Sequence, residues 1–545
     1  MFHSIKNAFE QYAGGLSRRQ LFHRGSFVAA LPAFLRGSQA AAPPPGKGLR
    51  IGPGIYESIG VRPLINCRGT LTVVGGSLEL PEVRAAKDAA AQHYVQLDEL
   101  MEGIGNRLAE LTGAEWGMVA SGCAAALAHA TTACVTGGNP ELLVQVPNLA
   151  GFAKDEVVIP THSRNQYDQA VRSVGVRIIE AGDAATYEAA LGPKVAMVYV
   201  FAGPRAESGS LPYDAIYSIA ARKNVPVLVD AAAEMPTIPN VHLQRGATLV
   251  GYSGGKCIRG PQCAGILLGR KDLVKAAWVA SAPHHGHGRS MKVGKEEAIG
   301  MLMAIEMWTK RDHKAEMDAW MSWMRSIADR VSGIDGVTAA VREPRGLSNH
   351  SPVLNISWDT AKLRITGQRL AEILDTTEPR IALSAGGGRG GRAGSQTGVS
   401  ITAYMMSPGE DKIVGDRIYA VLNAHRTAKE PEQPKSAAGD LTGRWDLHLE
   451  FAAGSAEETL YLKQDGNQLA GTHQGAFVTR DCRGSIAGDD VTIVSFIGEV
   501  HGAPLSYRFT GKLNGATASG ELDMGEYLGG KWTARRHDFT RRNEG

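Results

Sequence analysis

The chain has 545 residues, 43% of them apolar and 21% charged, and its 58 basic against 55 acidic residues leave a net charge of only +3. That length exceeds what one hydrophobic core supports, so at least two domains are expected, and the near-balanced charge argues against a nucleic-acid partner. Past the N-terminal segment no apolar run approaches the ~20 residues of a membrane-spanning helix, so no stable membrane insertion is expected of the mature protein.

Residues 17–22 read S-R-R-Q-L-F and precede the apolar stretch Gly25–Leu35, then Arg36 and the small-residue run S-Q-A-A-A. Residues 1–40 therefore resemble a twin-arginine export signal cleaved near Ala40, which predicts a periplasmic or otherwise exported protein. Over 53–305, apolar runs such as EVVIP, VAMVYVF, VPVLVDA and ATLVGYS alternate with helix-length segments. This is an α/β pattern with a mostly parallel sheet covered by helices on both faces. Residues 306–424, with one long amphipathic helix (EMWTKRDHKAEMDAWMSWMRSIADRV) followed by short strands and a closing helix, suit a smaller α+β lobe. A Pro-, Lys- and Glu-rich linker occupies 425–439. The strand-length runs of 440–541, separated by DGN, AGDD and NGA turns, predict an all-β module, and its TGRWDLHLEF opening resembles the first strand of lipocalin-like barrels. Such a module holds a ligand or buttresses a dimer.

Candidate chemistry begins at Y-S-G-G-K, where Lys256 follows an apolar strand and is flanked by Ser253 and glycines that leave room for a bound aldehyde; a Schiff-base lysine needs that access. Asp230 ends the buried run V-P-V-L-V-D. A carboxylate there is costly unless paired, and in α/β sheets ligands sit beyond the carboxyl ends of the strands. Facing a pyridine nitrogen, it would keep that nitrogen protonated. The segment W-G-M-V-A-S-G-C-A-A-A-L supplies a strand, a turn and an Ala-rich helix, so Ser121, Gly122 and Cys123 would offer free N–H groups to a phosphate, with Ser253 adding a hydroxyl. Together these residues describe a site for pyridoxal 5'-phosphate.

His162, just after EVVIP, is a candidate to stack on the ring, with Tyr167 as the alternative. Arg289, Lys292 and Lys295 in G-R-S-M-K-V-G-K, and Arg380 in E-P-R-I-A-L, are candidate clamps for a substrate carboxylate or phosphate. No metal is expected: the six cysteines lack CxxC spacing, and H-H-G-H at 284–287 has no acidic or cysteine companions, so a flexible loop over the site is preferred. The glycine-rich run 384–394 lacks the ending of a phosphate loop and reads as a mobile loop.

The motifs Y-V-Q-L-D-E-L, G-N-R-L-A-E-L-T-G-A-E, A-S-G-C-A-A-A-L, R-N-Q-Y-D-Q-A, S-G-G-K-x-I-x-G-P-Q and S-P-G-E-D, in this order over roughly 53–424, resemble the selenocysteine-synthase-like family, in particular its D-glucosaminate-6-phosphate ammonia-lyase branch. The resemblance implies an aminotransferase-like fold (fold type I), Lys256 as the Schiff-base lysine, Asp230 as the pyridinium partner, Ser121 to Cys123 in the phosphate cup, and a homo-oligomer. It also implies a small-molecule amino substrate, an amino acid or amino sugar acid that loses ammonia by α,β-elimination. Transfer, racemisation or aldol cleavage are the alternatives within the cofactor's chemistry, and a non-catalytic periplasmic ligand-binding protein is the alternative outside it. The export signal and balanced charge speak against a tRNA substrate.

Overall fold

The runs Glu156–Pro160 and Val227–Asp230 are buried at every position, as strands covered on both faces must be. A computed structural model describes residues 48–386, 396–426, 435–496 and 506–538. The proposed export signal and most of the glycine-rich run 384–394 and of the linker lie outside the described residues. The chain divides into two compact units, the first spanning Leu64–Gln433 and the second containing the C-terminal strands.

After a short strand β1 (Ile65–Asn66), helices α1 (Pro81–Ala91) and α2 (Leu97–Thr112) lead into a seven-stranded sheet. Its strands are β2 (Trp116–Ala120), β3 (Glu156–Pro160), β4 (Arg177–Ala181), β5 (Val195–Phe201), β6 (Val227–Asp230), β7 (Leu249–Ser253) and β8 (Gly265–Gly269), in the spatial order β2-β8-β7-β6-β5-β3-β4. Only β8 runs antiparallel to its neighbours; the β3–β7 pairs are parallel. The Ala-rich helix α3 (Gly122–Thr136) packs on β7 and β8 and is buried along nearly its whole length. Its small side chains permit that close approach. Helix α4 (Lys271–Val279) packs beside α3, whereas α5 (Lys295–Trp308) packs against α1 and α2.

The long amphipathic segment is two helices rather than one. Helix α5 ends at Trp308, and Asp312 caps a new helix, α6 (His313–Ser332), by accepting from Ala315 N. A polar TKRD interval between apolar faces, with an N-cap acid, is what starts a second helix. Strands β9 (Val337–Arg342) and β10 (Val353–Asp359), helix α7 (Gly367–Thr376), strands β11 (Ile381–Ala382), β12 (Ser384–Gly386) and β13 (Gln396–Thr402), and helix α8 (Glu410–Ala424) follow. They form an antiparallel sheet β12-β13-β10-β9 with its own core around Trp358, Ile356 and Leu370. The N-terminal segment given to the large domain joins this smaller lobe: β1 pairs with β11, and buried Cys67 belongs to the smaller core. That pairing is long-range, so no local pattern marks it.

In the second unit β14 (Gly443–Glu450), β15 (Ser455–Asp465), β16 (Gln468–Gln474), β17 (Thr479–Ala487), β18 (Asp490–Phe496), β19 (Ser506–Asn514), β20 (Thr517–Asp523) and β21 (Gly529–Arg536) close into an eight-stranded barrel. Alternate residues point inward, with Trp445, Leu447, Phe509 and Trp532 buried, as a small barrel filled by side chains requires. Closure by β14 against β21 removes both sheet edges.

Candidate active site

Asp230 is the last residue of β6 and only 2% exposed. Three donors address its carboxylate: Tyr199 Oη donates to Oδ2 at 2.8 Å, Ala232 N to Oδ1 at 3.1 Å, and Cys123 Sγ lies 3.7 Å from Oδ1. Behind Tyr199, Asn165 Nδ2 donates to its hydroxyl at 3.4 Å. Burial raises the Asp230 pKa from its ordinary value, opposed by these donors and by the positive charge of Lys256. Burial, reinforced by the Asp230 charge, also holds the Cys123 thiol and the Tyr199 phenol protonated. Both therefore act as donors to the carboxylate.

Lys256 follows β7, the strand paired beside β6. The glycines of its S-G-G-K turn answer to a close approach of backbone. A Cβ on Gly254 would stand 2.7 Å from Ala264 O and 2.8 Å from Pro261 O, and one on Gly255 would stand 2.7 Å from Gln262 Cα. Gly254 N donates to Ala264 O at 2.8 Å and Gly260 N to Gly254 O at 2.9 Å, so the G-P-Q segment folds back on the lysine turn. The motif S-G-G-K-x-I-x-G-P-Q is thus one structural unit. Lys256 is half-buried, and among the described residues no carboxylate lies within 4 Å of its amine.

Ser121 is the N-cap of α3 and its side chain makes no capping bond. Gly122 has φ +83 and open space where a side chain would point. Gly265 on β8 brings the helix start close: a Cβ there would meet Cys123 N and Gly122 C at 2.6 Å. Ser253, half-buried, closes β7 opposite Gly265. The Cys123 thiol faces Asp230, which leaves the backbone N–H of Cys123 as the group this residue offers at the helix start.

His162 stands just beyond β3, with Nε2 3.0 Å from Leu211 O and Nδ1 3.0 Å from Ser163 Oγ. It lines a cleft of about 480 Å³ with Pro204, Arg205, Ser208, Gly209 and Ser210. The loop carrying these residues starts beside the aspartate, because Ala202 N donates to Asp230 O at 2.9 Å. Tyr167 is 52% exposed. Arg289 and Lys292 are exposed in the loop before α5. Lys295 and Arg380 are not free clamps. Lys295 bonds Ala90 O and pairs with Glu296, while Arg380 is tied to the backbone and carboxylate of Asp375. Both neutralise nearby acids within the fold. The H-H-G-H segment is pinned rather than loose: His284 bonds Trp278 O and faces Asp98 at 3.1 Å, and Gly288 N bonds Ala280 O. Among the described residues no group of three or more His, Cys, Asp or Glu gathers to hold a metal.

Two site residues escape a reading of the chain alone. Tyr199 lies inside the apolar run VAMVYVF, where a tyrosine reads as core, and its task depends on the neighbouring strand. Asn165 sits in R-N-Q-Y-D; its spacing to Asp168 signals the local capping box but not the bond across to Tyr199.

A mixed sheet with a lone antiparallel strand, a buried aspartate and a lysine on adjacent strand ends, and a helix start beside them define a pyridoxal-phosphate enzyme of fold type I. The residues fit the cofactor: a buried carboxylate already held by donors, a lysine with no ion-pair partner among the described residues, and open space at Gly122 over a helix N-terminus. The solved structure of D-glucosaminate-6-phosphate ammonia-lyase superposes with a TM-score of 0.60 at 26% identity, covering 69% of this chain and all of that one. In sequence the chain is 32% identical to D-glucosaminate-6-phosphate ammonia lyase of Salmonella typhimurium over 53% of its own length and 79% of the relative's. It is 30% identical to 5'-C-glycyluridine monooxygenase-decarboxylase of a Streptomyces species over 60% and 83%. It is 29% identical to L-seryl-tRNA(Sec) selenium transferase of Moorella thermoacetica over 51% and 63%. No family model matches the chain. The protein belongs to the pyridoxal-phosphate family that contains D-glucosaminate-6-phosphate ammonia lyase and the seryl-tRNA(Sec) selenium transferases, and it is an enzyme of that family.

Proposed function

We propose that the enzyme releases ammonia from an amino acid or amino sugar acid carrying a leaving group on its β-carbon. The observation that supports this most is the buried Asp230, held by Tyr199, Ala232 N and Cys123 on the strand beside Lys256. Pyridoxal phosphate, when bound, supplies an electron sink for negative charge at the substrate α-carbon. Lys256 Nζ would hold the cofactor, and as a free amine it would take the α-proton and pass it to the leaving group. The Asp230 carboxylate would keep a proton on the cofactor's ring nitrogen. The amides at the start of α3, with the Ser121 and Ser253 hydroxyls, would bind the phosphate. His162 would be the residue offered to the cofactor ring, and the cleft it lines with Arg205 would admit the substrate. Arg289 and Lys292 remain proposed contacts for an acidic group, and action outside the cytoplasm as a homo-oligomer belongs to the same proposal.

The test loads the purified chain with pyridoxal phosphate and reduces it with borohydride. The expected result is cofactor mass fixed on the peptide containing Lys256, its loss in K256A, and ammonia release from amino sugar acids by the wild type alone. Carbon dioxide release in place of ammonia would overturn the elimination, and cofactor fixed on another lysine would overturn the site.

A further inference from the structure

Of the candidate clamps for a substrate acid, Lys295 and Arg380 are tied up within the fold, and Arg289 and Lys292 stand exposed on a loop. Another arginine is placed differently. Arg68, in I-N-C-R-G-T, is half-buried, and its Nε is wholly buried without a hydrogen-bond partner among the described residues. No carboxylate of the described residues stands at ion-pair distance from its guanidinium. Burying part of a guanidinium without acceptors is costly. The outer edge of the fork is not enclosed, so an acceptor can reach it from solvent.

The backbone fixes where this arginine stands. Cys67 N donates to Ala382 O and Thr402 N to Cys67 O, both at 2.9 Å, so residues 65–68 run extended between β11 and the end of β13. Successive side chains of an extended segment point to opposite sides. Cys67 lies in the core of the smaller lobe, which sends Asn66 and Arg68 to the other side. Asn66 locks the turn that follows, its Oδ1 accepting from Arg68 N at 2.9 Å and its Nδ2 donating to Gly69 O at 2.8 Å. Thr70 Oγ1 and Tyr404 Oη are then 2.9 Å apart, and Tyr404 Oη donates to Asn349 Oδ1 at 3.3 Å. Asn349 N in turn donates to Ala233 O at 2.8 Å, in the stretch that follows Asp230. Burial, with a smaller push from the Cys257 thiol, raises the Tyr404 pKa to about 12, which sets that hydroxyl near the residue after Lys256. Further along, Ser77 N donates to Gly255 O at 3.0 Å, and a Cβ on Gly76 would stand 2.9 Å from the same oxygen. Residues 68–77 thus pass from the smaller lobe onto the lysine turn. Ser77 is 7% exposed and its hydroxyl is also unpartnered among the described residues, a second unsatisfied polar group on the same stretch.

We propose that Arg68 is a specificity-determining residue of the Lys256 site, whose fork takes both oxygens of the substrate's carboxylate. A planar carboxylate matches that fork, an alcohol offers one acceptor where the carboxylate offers two, and an amine would be repelled. Asn66 and the flanking strands hold the Arg68 backbone before any substrate arrives, so little freedom is lost on binding. Arg289 and Lys292 are then left for a further acidic group. This assignment rests on the function proposed for the Lys256 site and adds the substrate group that the smaller lobe holds.

The cofactor-loaded full-length protein is titrated with D-glucosaminate and with serine, each beside the amino alcohol that carries a hydroxymethyl group in place of the carboxylate, and binding is read from the change in the cofactor's absorbance. In the wild type the acid should bind about 10- to 100-fold more tightly than its alcohol. R68M should lose that preference while binding the alcohol as before, and R68K, which keeps the charge without the fork, should fall between them. Urea unfolding of the cofactor-free chain gives an independent readout: R68M should be as stable as the wild type or more so, because an unpaired and partly buried charge is replaced by an apolar side chain. A clear fall in the R68M midpoint would assign Arg68 to the fold instead. A preference for the acid that survives in R68M, or equal binding of acid and alcohol by the wild type, would overturn the clamp and leave the Lys256 site standing. A wild type whose absorbance responds to neither acid nor alcohol would overturn the proposed function and the clamp with it.

Discussion

Tyr199→Phe removes one hydroxyl, the donor 2.8 Å from Asp230 Oδ2, from a fully buried position. A hydrogen bond to an ionised group contributes about 1.5–3 kcal/mol and a neutral one about 0.5–1.5 kcal/mol. The substitution should therefore cost about 2 kcal/mol when Asp230 is ionised and about 1 kcal/mol when it carries a proton. The difference corresponds to a further rise of nearly one unit in a pKa that burial has already raised, at about 1.4 kcal/mol per unit. Because the folded value lies above the ordinary 3.8, the folded chain holds a proton there that the unfolded chain has released. The stability this group contributes is present in full below that ordinary value and is lost as pH rises through the folded value. Tyr199→Phe extends the loss to higher pH. Urea unfolding of the cofactor-free chain, compared among wild type, Y199F, D230N and the double variant at acid and alkaline pH, measures the coupling directly. Y199F should cost more at alkaline than at acid pH, and the pH dependence of that cost should vanish in the D230N background. An equal cost in both backgrounds at both pH values would refute a carboxylate-specific bond.

Gly265→Ala would place a methyl group 2.6 Å from Cys123 N and Gly122 C, backbone atoms that can yield only by moving the start of α3. A loss of about 1–3 kcal/mol in stability is expected, together with weaker cofactor binding in an absorbance titration; unchanged affinity would mean that the helix start does not hold the phosphate. His129 is buried with neither ring nitrogen partnered among the described residues, and burial lowers its pKa from 6.5 to about 4. Its neutral form is the one the fold accepts, so stability should fall as pH drops from 6.5 toward 4, by up to about 3 kcal/mol. H129Q should flatten that part of the unfolding profile, and an unaltered profile would assign the acid loss to other groups.

The features legible in the amino-acid sequence were those that burial and local geometry impose on neighbouring residues. Aliphatic runs ending in Asp230 and leading to Lys256 mark strand ends, because a strand covered on both faces stays apolar until it leaves the sheet. The strand, turn and helix around Ser121 are likewise local, as is the alternation that made the C-terminal module all-β. Glycines 254 and 255 were readable as room for a lysine, although their stricter cause, the returning G-P-Q backbone, is tertiary.

Partnership across strands was decided only by the tertiary structure. The bonds of Tyr199 and Cys123 to Asp230 join residues 31 and 107 positions away, and no periodicity along the chain reports such a distance. Lys295 and Arg380 looked like open clamps because a sequence shows charge without showing what neutralises it; the acids that do so, Glu296 and Asp375, lie close by, but their geometry depends on the helices that carry them. In the barrel the alternating pattern determined which residues face inward. Closure of β14 on β21 then decided that Glu458, His473 and Arg480 would share one dry interior. Sequence thus set which side chains must leave water, and the fold determined which of them meet.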